Sequence, residues 1–175
     1  MAKRSREQIR EDEKLVIKYL TEDARQTPNE IAKKCGFSRQ KSWRIIKRLE
    51  EKREIWGYTA IVDEEKMNET TFVALIRSKS PIIDMTKKLA DRLKSEKSKK
   101  EVDIELIDVF FLHGAYDWMV IFNAKDIRHA TRYVGYLEKN YGERIIEIRI
   151  LENVFPLVKG GKTNPNIEKI TEFSV

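Results

Sequence analysis

The apolar positions of this chain keep two different periods, one in its first third and another after it. Over residues 5–21, Val16, Ile17 and Leu20 fall on one helical face while Arg10, Asp12, Lys14 and Lys18 point away from it, which predicts an amphipathic helix. Thr27-Pro28-Asn29-Glu30 announces a second helix. Threonine stands at the cap, proline at the first helical position where no amide donor is needed, and glutamate three residues after the cap. Ile31 and Ala32 are its inward residues, and Gly36 supplies the left-handed residue that ends it. Ser38 caps a third helix, expected to run to about Glu51, whose packing face is Ser42, Ile46 and Leu49. Cys35, between Ile31 and Phe37, reads as a small buried core residue.

After Ile55 the pattern turns β-prone. Trp56-Gly57-Tyr58-Thr59-Ala60-Ile61-Val62 predicts a strand leaving the first domain, and residues 63–68 a polar link. The order then becomes strand (72–76), helix (Ile83, Met85, Leu89, Leu93), strands (104–112 and 118–122) around the turn His113-Gly114-Ala115-Tyr116-Asp117, helix (Ala130, Val134, Leu137, Tyr141) and a last strand in which Ile146, Ile148 and Ile150 alternate with Glu147 and Arg149. This βαββαβ order predicts a ferredoxin-like antiparallel sheet with helices on one face. The other face needs a cover, and a second copy of the chain is the simplest one, burying Phe110 and Leu112 among others. The fold class is therefore α+β: a winged-type helix-turn-helix domain (1–56), a strand and linker (57–69), a ferredoxin-like domain (70–158) and a C-terminal extension (159–175) expected to be irregular. Residues 94–101 read as a charged, solvated loop.

Charge singles out the first domain. Residues 1–56 hold 16 Lys and Arg against 10 Asp and Glu, while residues 57–175 hold 19 of each, so the whole formal charge of +6 sits on the first third. One part of the molecule is suited to a polyanion and the other is not. No stretch approaches the roughly 20 apolar residues that span a bilayer, and no apolar run follows the basic N-terminus, so a cytoplasmic protein with no membrane partner is expected. A single cysteine leaves no internal disulfide and no cysteine-cluster metal site.

The third helix concentrates that charge, with five basic residues and no acidic one between 39 and 48. A helix behind a tight turn and rich in Arg and Lys is the device that enters the major groove of DNA. The candidate DNA-contact set is Ser38, Arg39, Gln40, Lys41, Trp43, Arg44, Lys47 and Arg48. Arg39, Gln40, Lys41 and Arg44, near the helix start, suit base edges, whereas Lys47 and Arg48 suit phosphates. Trp43 has two readings: packing beneath the helix, or stacking over sugar and phosphate.

Several runs together carry a resemblance: Asp12-Glu13-Lys14 to Leu20, Asp23-Ala24-Arg25, Glu30-Ile31-Ala32, Gly36-Phe37-Ser38, Lys47-Arg48-Leu49-Glu50, Ile55-Trp56-Gly57-Tyr58-Thr59-Ala60 and, much later, Gly114-Ala115-Tyr116-Asp117. Over residues 10–158 the chain resembles the leucine-responsive regulator/AsnC (feast-famine) family. The resemblance implies a transcription regulator binding double-stranded DNA, whose second (RAM-type) domain forms homodimers or higher oligomers, commonly octamers. It also implies a small effector, usually an amino acid, held between subunits near Gly114, Tyr116 and Asp117, with no cofactor and no metal. Read from the residues alone, that turn serves equally as a plain strand connection. The chain departs from the family at Arg53, where glycine is usual, and at Ile45, where a basic residue is common.

An enzyme is the competing reading. Some proteins of this two-domain design are tetrapyrrole (sirohaem) decarboxylase-like and use histidines near the ligand domain. This chain has only His113 and His129, and His113 is more readily a solvent-exposed strand-end residue than a ligand contact. No nucleophile–base pair, phosphate loop or metal-ligand spacing accompanies them, so an enzyme is not expected.

Overall fold

The structure, a computed structural model, describes residues 5–79 and 103–173. They form two compact units, residues 1–60 and 61–175.

The first unit is three helices: α1 (Arg6–Glu22), α2 (Pro28–Cys35) and α3 (Arg39–Glu51). Each begins at a cap: Thr27 and Ser38 as read from the sequence, and Ser5 for α1. The Ser5 hydroxyl accepts from the Gln8 amide and the Gln8 side chain accepts from the Ser5 amide; Thr27 and Glu30 repeat this reciprocal pairing, and Ser38 accepts from the Lys41 amide. Both α2 and α3 end in Schellman motifs. At α2 the Phe37 amide donates to the Ala32 carbonyl (2.8 Å) with Gly36 left-handed at φ 66°. At α3 the Glu54 amide donates to Leu49 (2.9 Å) and the Arg53 amide to Glu50 (2.9 Å), with Arg53 itself at φ 58°. The turn therefore keeps the left-handed geometry although its residue is not glycine.

Val16, Leu20, Ile31, Ile45, Ile46 and Leu49 make the core of this unit, with Ile17, Cys35, Phe37 and Ile55 packed at its edge. Ile45 is a core residue, only 4% exposed, which accounts for an apolar side chain where the family tends to carry a basic one. Cys35 is half-buried rather than buried, and its partial desolvation pushes the thiol pKa up. The strand expected over 56–62 does not form: these residues join no ladder, and Trp56 is 95% exposed. A β-prone composition makes a strand only when another backbone edge is available, and no described strand pairs with this segment.

The second unit holds β1 (Thr70–Ser78), β2 (Glu105–Phe111), β3 (Trp118–Ala124), α4 (Ile127–Tyr141) and β4 (Ile145–Glu152). The antiparallel sheet has the order β2-β3-β1-β4, the strand order of the ferredoxin-like arrangement. The helix read at Ile83, Met85, Leu89 and Leu93, and the charged run 94–101, lie outside the described residues. Period-two alternation sets the faces. Phe72, Ala74 and Ile76 pair with Phe122, Val120 and Trp118, and together with Ala130, Tyr133 and Leu137 of α4 they form the core. Tyr133 takes the inward position expected of Val134, its ring edge-on to Phe122 at 4.8 Å. The alternation expected in β4 is interrupted: pairing steps from Arg77↔Glu147 to Ser78↔Ile145, so Ile146 is bulged out and half-exposed while Ile145, Ile148 and Ile150 pack inward. On the opposite face Phe110 and Leu151 remain 43% and 50% exposed beside half-buried Val73, Leu75, Met119 and Ile121.

The C-terminal extension is more ordered than its composition suggested. A hairpin of β5 (Val158–Lys159) and β6 (Lys162–Thr163) turns at Gly160-Gly161, and a 3-10 helix (Ile167–Phe173) returns Phe173 to Phe155 at 5.3 Å. The hairpin folds onto the linker. Lys159 pairs with the carboxylate of Glu64, and Gly160, left-handed at φ 51°, lies so close to Ile61 that a Cβ there would sit 2.7 Å from its Cδ1.

Candidate nucleic-acid interface

Three adjoining local decisions place the basic helix. Gly36 ends α2, Ser38 starts α3 two residues later, and Ser42, Ile45, Ile46 and Leu49 bury one face of α3. What remains outward is Arg39, Gln40, Trp43, Arg44 and Lys47, all exposed and all within one stripe of the helix. Trp43 is 51% exposed. Arg44 Nε donates to the Gln40 carbonyl at 3.3 Å, which lays the guanidinium along this stripe. Lys47 pairs with Glu50 at 2.9 Å, and that contact raises the lysine pKa and lowers the carboxylate's. Such a solvated i,i+3 pair is weak and exchanges readily for another anion.

The other three expected contacts are placed differently. Ser38 spends its hydroxyl on the helix cap. Lys41 Nζ stands 2.7 Å from the Asp12 carboxylate and 3.3 Å from the centre of the Phe37 ring. Arg48 Nε lies 2.9 Å from Glu13 Oε1, close enough for an ion pair though not aligned as a hydrogen bond. Sequence reasoning placed Asp12 outward and gave Glu13 no role. Glu13 is 7% exposed, and its nearest cations are Arg48 of α3 and Lys52, which caps the C-terminal end of that helix. The signal was present: Glu13 is three residues before buried Val16, on the inward face of α1.

In the second unit, Gly114, Tyr116 and Asp117 lie together on the turn between β2 and β3, with Gly114 and His113 exposed and Tyr116 half-buried. The Asp117 carboxylate accepts from both the amide (2.6 Å) and the hydroxyl (2.9 Å) of Ser78, and its own amide donates to the Ile76 carbonyl. On β4, Arg149 hydrogen-bonds Glu147 and, with Arg77 of β1 also in contact, holds its carboxyl below the usual range. His129 is bound to Asp126 at the start of α4, on a different element from His113. Among the described residues no group of three or more His, Cys, Asp or Glu is placed to hold a metal, and no helix is long and apolar enough to cross a membrane.

These features define a class: a helix-turn-helix DNA-binding domain joined to an α+β domain with an antiparallel sheet. A family described as winged helix-turn-helix DNA-binding matches residues 13–53. The HTH-type transcriptional regulator LrpA of Pyrococcus horikoshii is 41% identical over 59 residues, covering 34% of this chain and 42% of that protein. The Bkd operon transcriptional regulator of Pseudomonas aeruginosa is 26% identical over 112 residues, 64% of this chain and 69% of that one. In fold, an AsnC family transcriptional regulator from Agrobacterium tumefaciens matches 87% of this chain and 95% of its own at a TM-score of 0.65 and 20% identity. A transcriptional regulator from Neisseria meningitidis, solved as a complex with L-Met, matches 89% and 96% at 0.64 and 15%. The chain is thus similar to Lrp/AsnC regulators in sequence across the helix-turn-helix and in fold over most of its length, and the relatives just described carry names of transcription regulators.

Proposed function

We propose that the protein is a sequence-specific transcription regulator that binds duplex DNA through α3 and is modulated by a small amino acid. One observation carries the reading: Arg39, Gln40, Trp43, Arg44 and Lys47 form an uncovered, cationic stripe on a helix whose opposite face is core. Arg44 and Gln40 suit bidentate contact with base edges, Arg39 and Lys47 suit flanking phosphates, and Trp43 suits stacking over sugar. Residues 1–56 act as the DNA-binding domain, 57–69 as connector and 70–158 as the effector and assembly domain. The apolar outer face of the sheet, with Phe110 and Leu151, is covered by a second copy. Two recognition helices then meet major grooves about 34 Å apart, one turn of the duplex.

The effector reading places an amino acid by Gly114 and Tyr116, supported by the L-Met complex of the Neisseria relative. Asp117, already bound to Ser78, shapes the turn there more than it contacts ligand. L-methionine is the first compound to test by thermal shift.

Selection of bound fragments from random duplexes, followed by affinity measurement across salt, tests the DNA reading. Enriched sites with two-fold symmetry are expected, along with a log–log salt slope of about −0.9 per neutralised phosphate. No enrichment, or a flat slope, sinks it.

A further inference from the structure

The cations of α3 fall into two groups by what they face. Arg39, Arg44 and Lys47 point to solvent, but Lys41, Arg48 and Lys52 point back to α1 and meet two consecutive carboxylates. Asp12 takes Lys41, in the first turn of α3; Glu13 takes Arg48 and Lys52, at its end. The Asp12–Lys41 pair is about four-fifths buried, with side-chain exposures of 21% and 18%, and the ammonium is held over the Phe37 ring as well. Pulling Lys41 out to a phosphate would break a largely desolvated ion pair and lose a cation–π contact. The Glu13 side chain is 9% exposed and is under the same constraint.

We infer that Asp12 and Glu13 are positioning residues for the recognition helix. They pin its two ends to α1, set the angle at which the Arg39–Lys47 stripe meets DNA, and withdraw Lys41 and Arg48 from DNA contact. This rests on the DNA-binding reading of α3 and sharpens it: sequence is read by a stripe narrower than the helix's charge implies. Removing a pin leaves the phosphate-seeking charge in place but lets the helix rock, so specific binding falls while non-specific binding does not.

The test is a charge swap in the full chain: Asp12→Lys, Lys41→Asp and the double variant D12K/K41D, with Glu13→Gln as an independent probe of the other pin. Melting temperature is read for each, with affinity for a selected site and for a scrambled duplex across salt. Each single swap is expected to lower the melting temperature and reduce the ratio of specific to non-specific affinity by about tenfold, equivalent to about 1.4 kcal/mol. The double variant should recover both, with the wild-type salt slope. Glu13→Gln should lose ratio and melting temperature together; should it fail to fold, the swap still decides. A double variant that recovers its melting temperature but loses affinity, with a slope shallower by about one phosphate, makes Lys41 a DNA contact and overturns the inference. So does a double variant with no recovery of melting temperature. A wild type without salt-dependent duplex binding overturns the DNA reading, and this inference with it; loss confined to the double variant overturns the inference alone.

Discussion

Asp117 and Ser78 join the start of β3 to the end of β1 through one carboxylate oxygen, which accepts from the Ser78 amide at 2.6 Å and from its hydroxyl at 2.9 Å. Hydrogen bonds to a charged acceptor contribute about 1.5–3 kcal/mol. Asp117→Ala should therefore lower unfolding free energy by about 1.5–3 kcal/mol in a denaturant titration, whether or not a ligand binds nearby. Ser78→Ala, which leaves the backbone donor, should lose less. Equal stability of wild type and Asp117→Ala would mean the bond is replaced by water at no cost.

For the interface, Arg44→Ala should weaken binding to the preferred duplex by about 1–3 kcal/mol and relax preference at the base it reads. Sedimentation should show the assembly unchanged, because Arg44 is exposed and, among the described residues, bonds within its own helix. A change in assembly size would instead make Arg44 a subunit contact.

At Arg53 the left-handed backbone is imposed on a residue with a Cβ. Left-handed geometry costs an ordinary L-residue roughly 1–2 kcal/mol, and glycine escapes it. Arg53→Gly should raise stability by about 1 kcal/mol, less the entropy glycine loses on folding. Thermal melts report this directly, and no rise would show that the Schellman turn is already relaxed.

Acid stability has a local contribution at the start of α4. The side-chain hydrogen bond from His129, followed by the His129 amide, lowers the Asp126 pKa from 3.8 to about 2. A depressed carboxylate stabilises the folded state fully above its unfolded value and stops doing so as pH falls through its folded value. The advantage of wild type over Asp126→Asn should thus be constant above 3.8 and vanish by about 2. An advantage unchanged across that window would show that the charge of the Asp126 carboxylate is not its source.

Much of the first unit was legible because its signals are local. Caps at Thr27 and Ser38 and the left-handed Gly36 each act within a few residues, and sequence spacing reveals them; the Ser5 cap is equally local but was not read. The four strands of the second unit were likewise readable from their apolar runs and alternation. Long-range effects were not. The bulge at Ile146 depends on a register with β1, the missing ladder at 56–62 on the lack of a partner edge, and the Asp12–Lys41 pair on how α1 crosses α3. The basic residues of α3 were visible as a set, but which of them face outward is decided by carboxylates nearly 30 positions away or more.

The Gly160 hairpin has a consequence for handling the protein. Shortening the chain to end at β4 would leave the Glu64 carboxylate, only 9% exposed, without Lys159 and would take the Gly160 turn away from Ile61, already 42% exposed. A version trimmed in this way should thus become open to proteases around residues 61–64, far in sequence from its new end.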